Sequence, residues 1–384
     1  MRILHTSDWH LGRSLHGADL GRAQEEFLDH LVAVVAEESV DVVAIAGDIF
    51  DRAIPPVQSI RLLEDSLSRI RAAGAQIVAI SGNHDSPTRL GFGASLMAVG
   101  GVHLRTSPAA VASPVVIDDV AFYCLPFLEP YAVSEALPAD PNDETTVLGR
   151  THDAVIQRAV ACARADIETK KHPHVVLLAH GWVIGGTASD SERDVTVGGA
   201  GTISASHFVG LDYVALGHLH GQQSLDDHLR YSGSPLPYSF SEAEHTKGSW
   251  LVTVGSAGVS SVESVAAPIH RRLVVLTGPV ETLMTSSEYS SAESAYVSVI
   301  ATDDARPIDA MDRLRARFPH ILAFRWAPCS PETDGRSYAE RVHGRGDVEL
   351  ALDFVAYVRN EASEAERDLV TAAVEAVTIS ADAG

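Results

Sequence analysis

The chain has 384 residues, of which 46% are hydrophobic, and it carries a formal net charge of −22. This length and apolar content suffice for more than one domain with a full core, and no apolar run is long enough to span a bilayer. The negative charge excludes a protein that holds nucleic acid by bulk positive charge, because phosphate contacts depend on Lys and Arg.

Cysteine and lysine usage narrows the class further. The three cysteines lie far apart, which excludes a disulfide framework and a Cys-x-x-Cys metal site and favours a reducing, cytoplasmic location. The N-terminus has no apolar h-region of a signal peptide. None of the three lysines follows a glycine, so a Walker A loop is absent and any ATP would be hydrolysed by another subunit.

The first part of the chain alternates short apolar runs with helical patterns. Strands are predicted at 2–7, 41–46 and 76–80, with helices at 22–39 and from Pro55 onward. This alternation is typical of βαβ units and indicates a largely parallel sheet.

The middle of the chain predicts a second set of strands. Its predicted elements, in chain order, are shorter strands within 102–126, an acidic loop at 129–146, a helix at 151–169, a strand at 175–179, a glycine-rich loop at 185–201, a strand at 212–216 and further strands within 229–265. The last group would complete a sandwich. The predicted fold class is therefore α/β, a two-sheet sandwich flanked by helices.

The character of the sequence changes near Ala266-Ala267-Pro268. Residues 271–326 fit a small α+β unit, and after a polar linker two amphipathic helices cover 348–378, the second opening with the capping box Ser363-x-x-Glu366. The helices have no obvious core of their own and are expected to dock on another surface. The predicted domains are 1–268, 269–330 and 331–384.

Polar side chains follow five of the predicted strands. They are Asp8 and His10, Asp48, Asn83 and His84, His180, and His218 and His220. In open α/β sheets, sites form at the carboxyl ends of the strands. Oxygen and imidazole ligands without thiolate suit Mn, Fe or Zn. Any one motif could be an ordinary turn or a surface histidine, but all five in this order favour a two-metal site for a phosphoryl centre.

These motifs together resemble the calcineurin-like metallophosphoesterase superfamily over about residues 1–265. They are Asp8-x-His10, Gly47-Asp48-x-x-Asp51-Arg52, Gly82-Asn83-His84-Asp85, the single His180 and Gly217-His218-x-His220. Four segments are similar, more narrowly, to the SbcD family, the nuclease subunits of bacterial double-strand-break repair complexes: 6–12, 189–193, 212–218 and 233–240. The small domain and helical tail also look SbcD-like.

The resemblance implies two divalent metal ions, with manganese as the expected metal. One would be held by Asp8, His10, Asp48 and His220, and the other by Asp48, Asn83, His180 and His218. His84, paired with Asp85, would be catalytic and free for proton transfer. Archaeal and eukaryotic relatives carry a histidine in the segment that here reads Phe50-Asp51-Arg52, so no second catalytic histidine is expected and Asp51 has a supporting part.

The implied function is a DNA nuclease acting as exonuclease on duplex ends and as endonuclease on hairpin or single-stranded DNA. The resemblance further implies DNA as a partner, a homodimer within a heterotetramer, no membrane, a capping domain that helps to position DNA, and an SbcC-type ATPase bound by the C-terminal helices. A phosphatase with the same metals and a non-catalytic scaffold are the alternatives. The SbcD-like segments oppose the first, and the intact ligand set opposes the second.

Overall fold

The computed structural model describes residues 1–133, 136–138, 148–192, 201–328, 346–359 and 362–381. The chain forms two compact units, Met1–His270 and Arg271–Gly384. The predicted loops at 129–146 and 185–201 lie partly outside the described residues. The predicted linker after residue 330 lies wholly outside them. The division of the C-terminal part into a capping domain and a tail stays a prediction.

The first unit contains two six-stranded sheets. Strands of the first lie in the spatial order Gly258–Ala266, Gly248–Gly255, Arg2–Thr6, Val42–Ala46, Gln76–Ile80 and Val102–Arg105. The last four of these strands run parallel to one another. Gly248–Gly255 pairs antiparallel with Arg2–Thr6, and Gly258–Ala266 pairs antiparallel with Gly248–Gly255. The predicted βαβ arrangement is confirmed.

The second sheet has a similar plan. Its strands lie in the order Gln223–Ser224, Leu229–Tyr231, Tyr213–Gly217, His174–His180, Val120–Leu125 and Val115–Ile117. The four inner strands are parallel and the two outer ones pair antiparallel. Short ribbons join Ser14–Leu15 to Ala18–Asp19 and Trp182–Val183 to Thr202–Ile203.

Helices cover the outer faces of both sheets. The longer ones are Gly21–Glu37 and Val57–Ala72 beside the first sheet and His152–Lys170 beside the second. Thr151 caps the last of these by accepting a hydrogen bond from the Ala154 backbone amide at 3.1 Å. Shorter helices are Pro87–Leu90, Ala94–Val99 and Pro130–Val133, and the 3₁₀ turns are Pro108–Ala110, Ala205–Phe208 and Phe240–Glu242.

Three apolar layers hold this unit together. Ile3 and Val42 pack between the sheets against Phe122 and Val176, whereas Val43 faces the helices. Side chains alternate along a strand, so a strand that is covered on both faces needs apolar residues at nearly every position. The two-sheet sandwich flanked by helices is confirmed.

The second unit is built on a small parallel sheet. Strands Leu273–Gly278, Tyr296–Ala301 and Ile321–Trp326 pair in this order, accompanied by helices Val280–Thr285 and Ala310–Arg317 and the 3₁₀ turn Ser287–Ala292. Helices Asp347–Arg359 and Glu364–Ala381 contact each other. Glu366 accepts a hydrogen bond from the Ser363 backbone amide at 2.9 Å, one of the two contacts of the predicted capping box, and its carboxylate also accepts from the Ser363 hydroxyl at 2.8 Å. Across the described part of the chain, no helix combines the length and apolarity needed to cross a membrane.

Candidate metal centre

The seven predicted metal ligands come together at one edge of the sandwich. They follow strands Arg2–Thr6, Val42–Ala46, Gln76–Ile80 and Tyr213–Gly217 or, for His180, end the strand His174–His180. Six of the seven are buried, and Asn83 is half-buried. The parallel strands of the two sheets thus bring residues that are distant in the chain to one edge of the sandwich.

One group of ligands forms around His10. Asp8, His10 and His220 each offer an atom within 4.8 Å of the others. The Nε2 atoms of His10 and His220 lie 3.1 Å apart, and the Asp48 Oδ2 atom lies 3.7 Å from the His10 Nε2 atom. These are the four residues predicted for one ion.

A second group forms around Asn83. Its Oδ1 atom lies 2.9 Å from the His180 Nε2 atom and 3.1 Å from the His218 Nδ1 atom. The Asp48 Oδ2 atom lies 3.5 Å from the His180 Nε2 atom. Asp48 therefore stands between the two groups, where a carboxylate that bridges two ions would be needed.

Four of these residues have an unusual backbone conformation. The φ angles of Asp8, His10, Asp48 and His218 are 54°, 44°, 49° and 108°. Positive φ is uncommon for non-glycine residues, and it persists where the surrounding structure enforces it, often at functional sites. Here the strained turns that follow three strands direct these four side chains into one cluster.

Two motif glycines are required by close contacts in the cluster. A Cβ atom on Gly82 would lie 2.1 Å from the Asp48 Oδ1 atom and 2.4 Å from the Asp48 backbone nitrogen. A Cβ atom on Gly47, where φ is +92°, would lie 2.4 Å from the His180 Nδ1 atom. The glycines of Gly-Asp and Gly-Asn-His thus allow the strand ends to approach each other.

Burial and neighbouring charges set the ionisation of the cluster. Burial lowers the pKa of His10 and lowers the pKa of His218 to about 3, which leaves nitrogen lone pairs free for ligation. Burial also opposes the charged form of His180, but the Asp48 carboxylate outweighs it and raises the pKa of His180 to about 9. Burial disfavours ionised Asp48, yet the charge of His180 holds the pKa of Asp48 well below its usual range. Asp48 is therefore anionic. Burial raises the pKa of Asp8.

This donor set fits divalent cations. Two buried carboxylates, Asp8 and Asp48, face imidazole nitrogens, and buried carboxylates are costly without a compensating cation. The His10 Nδ1 and Asn83 Nδ2 atoms are buried without a hydrogen-bond partner. In each of these side chains the other polar atom points into the cluster, as expected if a cation holds that atom.

A family model for calcineurin-like phosphoesterases matches residues 1–222, more than half of the chain. The chain belongs to the calcineurin-like phosphoesterase family. It is a metal-dependent phosphoester hydrolase with a dinuclear metal site. A second model, SbcD_C, described as the Type 5 capsule protein repressor C-terminal domain, matches residues 270–359. The two matches together confirm the resemblance to SbcD-type nuclease subunits.

Solved structures that are similar to this phosphoesterase include a dimetal phosphatase from Danio rerio and the protein TT1561 from Thermus thermophilus. Both are 14% identical, over 69% of this chain and 98% of theirs, with TM-scores of 0.38 and 0.39. GAP50 of Plasmodium, described as the anchor in the inner membrane complex, is 10% identical over 86% of this chain and 98% of its own, with a TM-score of 0.36. Likeness of this degree carries no argument, and family membership depends on the model matches.

The predicted pairing of His84 with Asp85 is wrong. The His84 Nδ1 atom lies 2.7 Å from the backbone carbonyl oxygen of Asp51. Asp85 is buried and accepts hydrogen bonds, at 2.9–3.1 Å, from the backbone amides of Ile49, Phe50 and Gly82. Adjacent side chains in this loop point to different partners. Asp85 therefore joins the ends of two neighbouring strands of the phosphoesterase.

Replacing Asp85 by Ala should lower the free energy of unfolding by about 3 kcal/mol or more. Three buried N–H groups would lose their acceptor, and each unpaired group costs about 1–3 kcal/mol. Urea unfolding followed by circular dichroism measures the change. Asp65→Ala, at a 61% exposed aspartate, is the matched control and should cost less than about 1 kcal/mol. Equal unfolding midpoints for the two variants would contradict this role of Asp85.

Several buried groups that support the site escaped sequence reasoning. The Tyr238 ring contacts the rings of His10 and His220 at 5.4 and 5.7 Å between centroids, and its hydroxyl donates to the Trp9 carbonyl at 2.5 Å. Behind His220 lie Ser191, Glu192, Glu242 and Lys247. The only signal for most of them was the family resemblance of segments 189–193 and 233–240, of which Arg193 lies outside the described residues.

Proposed function

We propose that the chain is a two-metal-dependent DNA nuclease, the SbcD-type subunit of a cytoplasmic complex that repairs double-strand breaks. The observation that carries the proposal is the clustering of all seven predicted ligands in a chain whose C-terminal part matches an SbcD domain model. Asp48 would bridge two manganese ions. The ligands of one ion would be Asp8, His10, Asp48 and His220, and those of the other Asp48, Asn83, His180 and His218.

Two bound divalent ions would polarise the scissile phosphate and neutralise the charge that develops on its oxygens. The chain's own contribution is to position these groups and to supply a proton. The centroids of the His84 and His10 rings lie 4.7 Å apart, and the Nδ1 atom of His84 is 2.7 Å from the Asp51 carbonyl oxygen. With Nδ1–H donating there, the Nε2 atom can hold the second proton of an imidazolium. Water forms the new bond to phosphorus and loses a proton to solvent as the bond from phosphorus to the sugar oxygen breaks. Transfer of the His84 proton to that departing oxygen leaves His84 neutral.

DNA binding by so acidic a chain needs local cations and a partner. Arg52 ends the motif that contains Asp48; its side chain is 66% exposed and lies 3.7 Å from the Asp51 carboxylate, a partly exposed ion pair that a phosphate can replace. Arg13 is less available, because it donates to the Ser191 carbonyl at 2.6 Å and lies over the Tyr238 ring. We propose that the ATPase partner supplies most of the remaining positive surface.

Hydrolysis of small chromogenic esters tests the diesterase assignment. With manganese, the chain should hydrolyse bis(p-nitrophenyl) phosphate at least about tenfold faster than p-nitrophenyl phosphate, since a nuclease site is shaped for a diester. A preference for the monoester would favour the phosphatase alternative. Loss of both activities with EDTA is expected for either enzyme and controls for contaminating metal-independent esterases.

The C-terminal helices are the proposed docking site for an SbcC-type ATPase. Phe354 in helix Asp347–Arg359 and Leu369 in helix Glu364–Ala381 are 66% and 70% exposed. Such large exposed apolar side chains are typical of a helix that packs in a partner's groove.

The double variant Phe354→Glu/Leu369→Glu should bind the ATPase coiled coil at least about tenfold more weakly. Burying one large apolar side chain contributes roughly 1.5–3 kcal/mol, and an introduced carboxylate adds a desolvation cost. Surface plasmon resonance with the immobilised coiled coil measures the change, with the exposed Glu349→Gln as control. Truncation after residue 335 should abolish binding, and unchanged affinity in both cases would refute the docking.

A second apolar surface lies in the first unit and is proposed to form the homodimer interface. It consists of Ile54, Val57, Ile60, Phe92, Leu96 and Val99, which are 47–90% exposed. Beside it runs a groove of about 770 Å³, whose lining includes Phe50, Leu63 and Met97. Large exposed apolar side chains beside an apolar groove are typical of a protein interaction site.

Phe92→Glu should convert the dimer to a monomer at micromolar concentration. The 86% exposed ring would be replaced by a charge that a self-complementary apolar interface cannot pair. Light scattering coupled to size-exclusion chromatography measures the molar mass of the particle. Val209→Glu, at an exposed apolar residue outside this surface, is the control. A wild-type monomer, or a Phe92→Glu dimer, would contradict the proposed interface.

A further inference from the structure

His220 is held at three points by polar groups behind the metal cluster. Its backbone N–H donates to the Glu192 Oε1 atom at 2.7 Å, and its carbonyl accepts from the Lys247 Nζ atom at 2.8 Å. Its ring Nδ1 atom lies 2.5 Å from the Ser191 hydroxyl. These contacts fix the ring so that its Nε2 atom faces the Nε2 atom of His10 across 3.1 Å.

Behind Ser191 lies a buried carboxylate. Glu242 has a side chain that is 0% exposed, and its Oε1 atom accepts a short hydrogen bond from the Ser191 hydroxyl. Its Oε2 atom pairs with Lys247, which is 8% exposed. The Ser189 hydroxyl donates to the Oε1 atom as well, at 3.2 Å. A carboxylate paired with a buried lysine is ionised and can only accept hydrogen bonds.

The direction of each hydrogen bond follows from this. Because Glu242 only accepts, the Ser191 hydroxyl donates to Glu242, and the Ser191 oxygen accepts a hydrogen bond from the Nδ1–H of the His220 ring. A neutral imidazole that donates through Nδ1 has its lone pair on Nε2. Outer partners of this kind orient metal-binding histidines and fix their tautomer.

We propose that Ser191 and Glu242 are positioning residues that hold His220 in the Nδ1–H tautomer, with its Nε2 lone pair directed into the cluster. Lys247 keeps the Glu242 carboxylate in place. This inference rests on the proposed metal site. It extends that site to residues 22–29 positions from the ligand along the chain, which no local motif connects.

The first test is calorimetric titration of the metal-free chain with manganese chloride alone. Ser191→Ala should weaken the affinity of one of two sites by about 10–100-fold, the usual effect of removing such an outer partner. Ser191→Thr, which keeps a hydroxyl, should retain most of the manganese affinity. If Ser191 only filled space, keeping the hydroxyl would not matter. Glu242→Gln should also weaken binding, and Glu244→Gln, at an exposed glutamate two residues away, should leave it unchanged.

The second test reads the tautomer directly in the metal-free chain. Nitrogen NMR of histidine-labelled protein, with His220 assigned from a His220→Gln variant, should show a protonated Nδ1 and a bare Nε2 in the wild type. A mixture of tautomers is expected in Ser191→Ala. An identical tautomer and identical manganese affinity in that variant would overturn the inference. A wild type that binds no manganese would overturn the proposed function, while the NMR result would still decide the tautomer.

Discussion

Replacing Asp48 by Asn should lower the turnover of bis(p-nitrophenyl) phosphate by about a thousandfold or more. The Asp48 carboxylate lies 3.5 Å from a nitrogen of His180 and 3.7 Å from one of His10, so it is the ligand shared by both proposed ions. Asparagine keeps the shape but removes the charge that pairs with two cations. Loss of correct metal binding should remove about 4 kcal/mol or more of transition-state stabilisation.

Two measurements accompany the Asp48→Asn assay. Metal analysis after dialysis should fall from two manganese ions per chain to one or fewer, and the thermal midpoint shows whether the variant is folded. Asp65→Asn, in an exposed ion pair with Arg69, is the matched control and should keep wild-type turnover. An Asp48→Asn variant that binds two ions and retains a tenth of the activity would exclude Asp48 as the bridge.

His84→Ala should lower turnover by about 10²–10⁴-fold while leaving two manganese ions bound. A positioned general acid typically contributes this factor. The Nδ1 atom of His84 is committed to the Asp51 carbonyl, which fixes the ring and leaves Nε2 for proton transfer. His84 also lies within 4.8 Å of ligand atoms of His10 and Asp48, so metal analysis is needed to separate the two roles.

The outcome for His84→Ala distinguishes an acid from a ligand. Lower turnover at full metal occupancy would indicate proton transfer or orientation of the phosphate, whereas loss of an ion would indicate ligation. His172→Ala, at a half-buried histidine after the helix His152–Lys170, is the control for removal of an imidazole. Full activity in His84→Ala would rule out the proposed role.

The sequence predicted the sandwich because its strands are covered on both faces. Runs such as Val42–Ala46 and Gln76–Ile80 are apolar almost throughout and alternate with amphipathic helices, and parallel buried strands have this pattern. The short helices Pro87–Leu90 and Ala94–Val99 were not predicted. They are too short for a helical period to be visible in the sequence.

The candidate ligands were predictable because each follows a strand whose carboxyl end lies at the same edge. Their arrangement within the cluster was not, since Asp8, His10, Asp48 and His218 depend on positive φ angles that tertiary contacts enforce. The Gly82 requirement likewise reflects the position of Asp48, 34 residues earlier in the chain. Contacts between residues this far apart in the chain cannot be predicted from local sequence.

The pairing of His84 with Asp85 was misread for the same reason. The resemblance implies that the two residues pair, yet Asp85 turns toward backbone amides of the neighbouring strand end, and His84 toward the Asp51 carbonyl. The Ser191–His220–Glu242 contacts were out of reach because they join three separate segments. Only the fold brings these segments together.

The most direct test of the nuclease assignment is cleavage of end-labelled duplex and hairpin DNA by the purified chain with manganese, beside Asp48→Asn and His84→Ala. A two-metal nuclease should cleave these substrates as the wild type, not at all with EDTA, and at least about a hundredfold less as either variant. If the wild-type chain alone cleaves no DNA, the same assay with the ATPase partner and ATP is expected to show cleavage. No DNA cleavage under either condition, with hydrolysis of a phosphomonoester instead, would contradict the nuclease assignment.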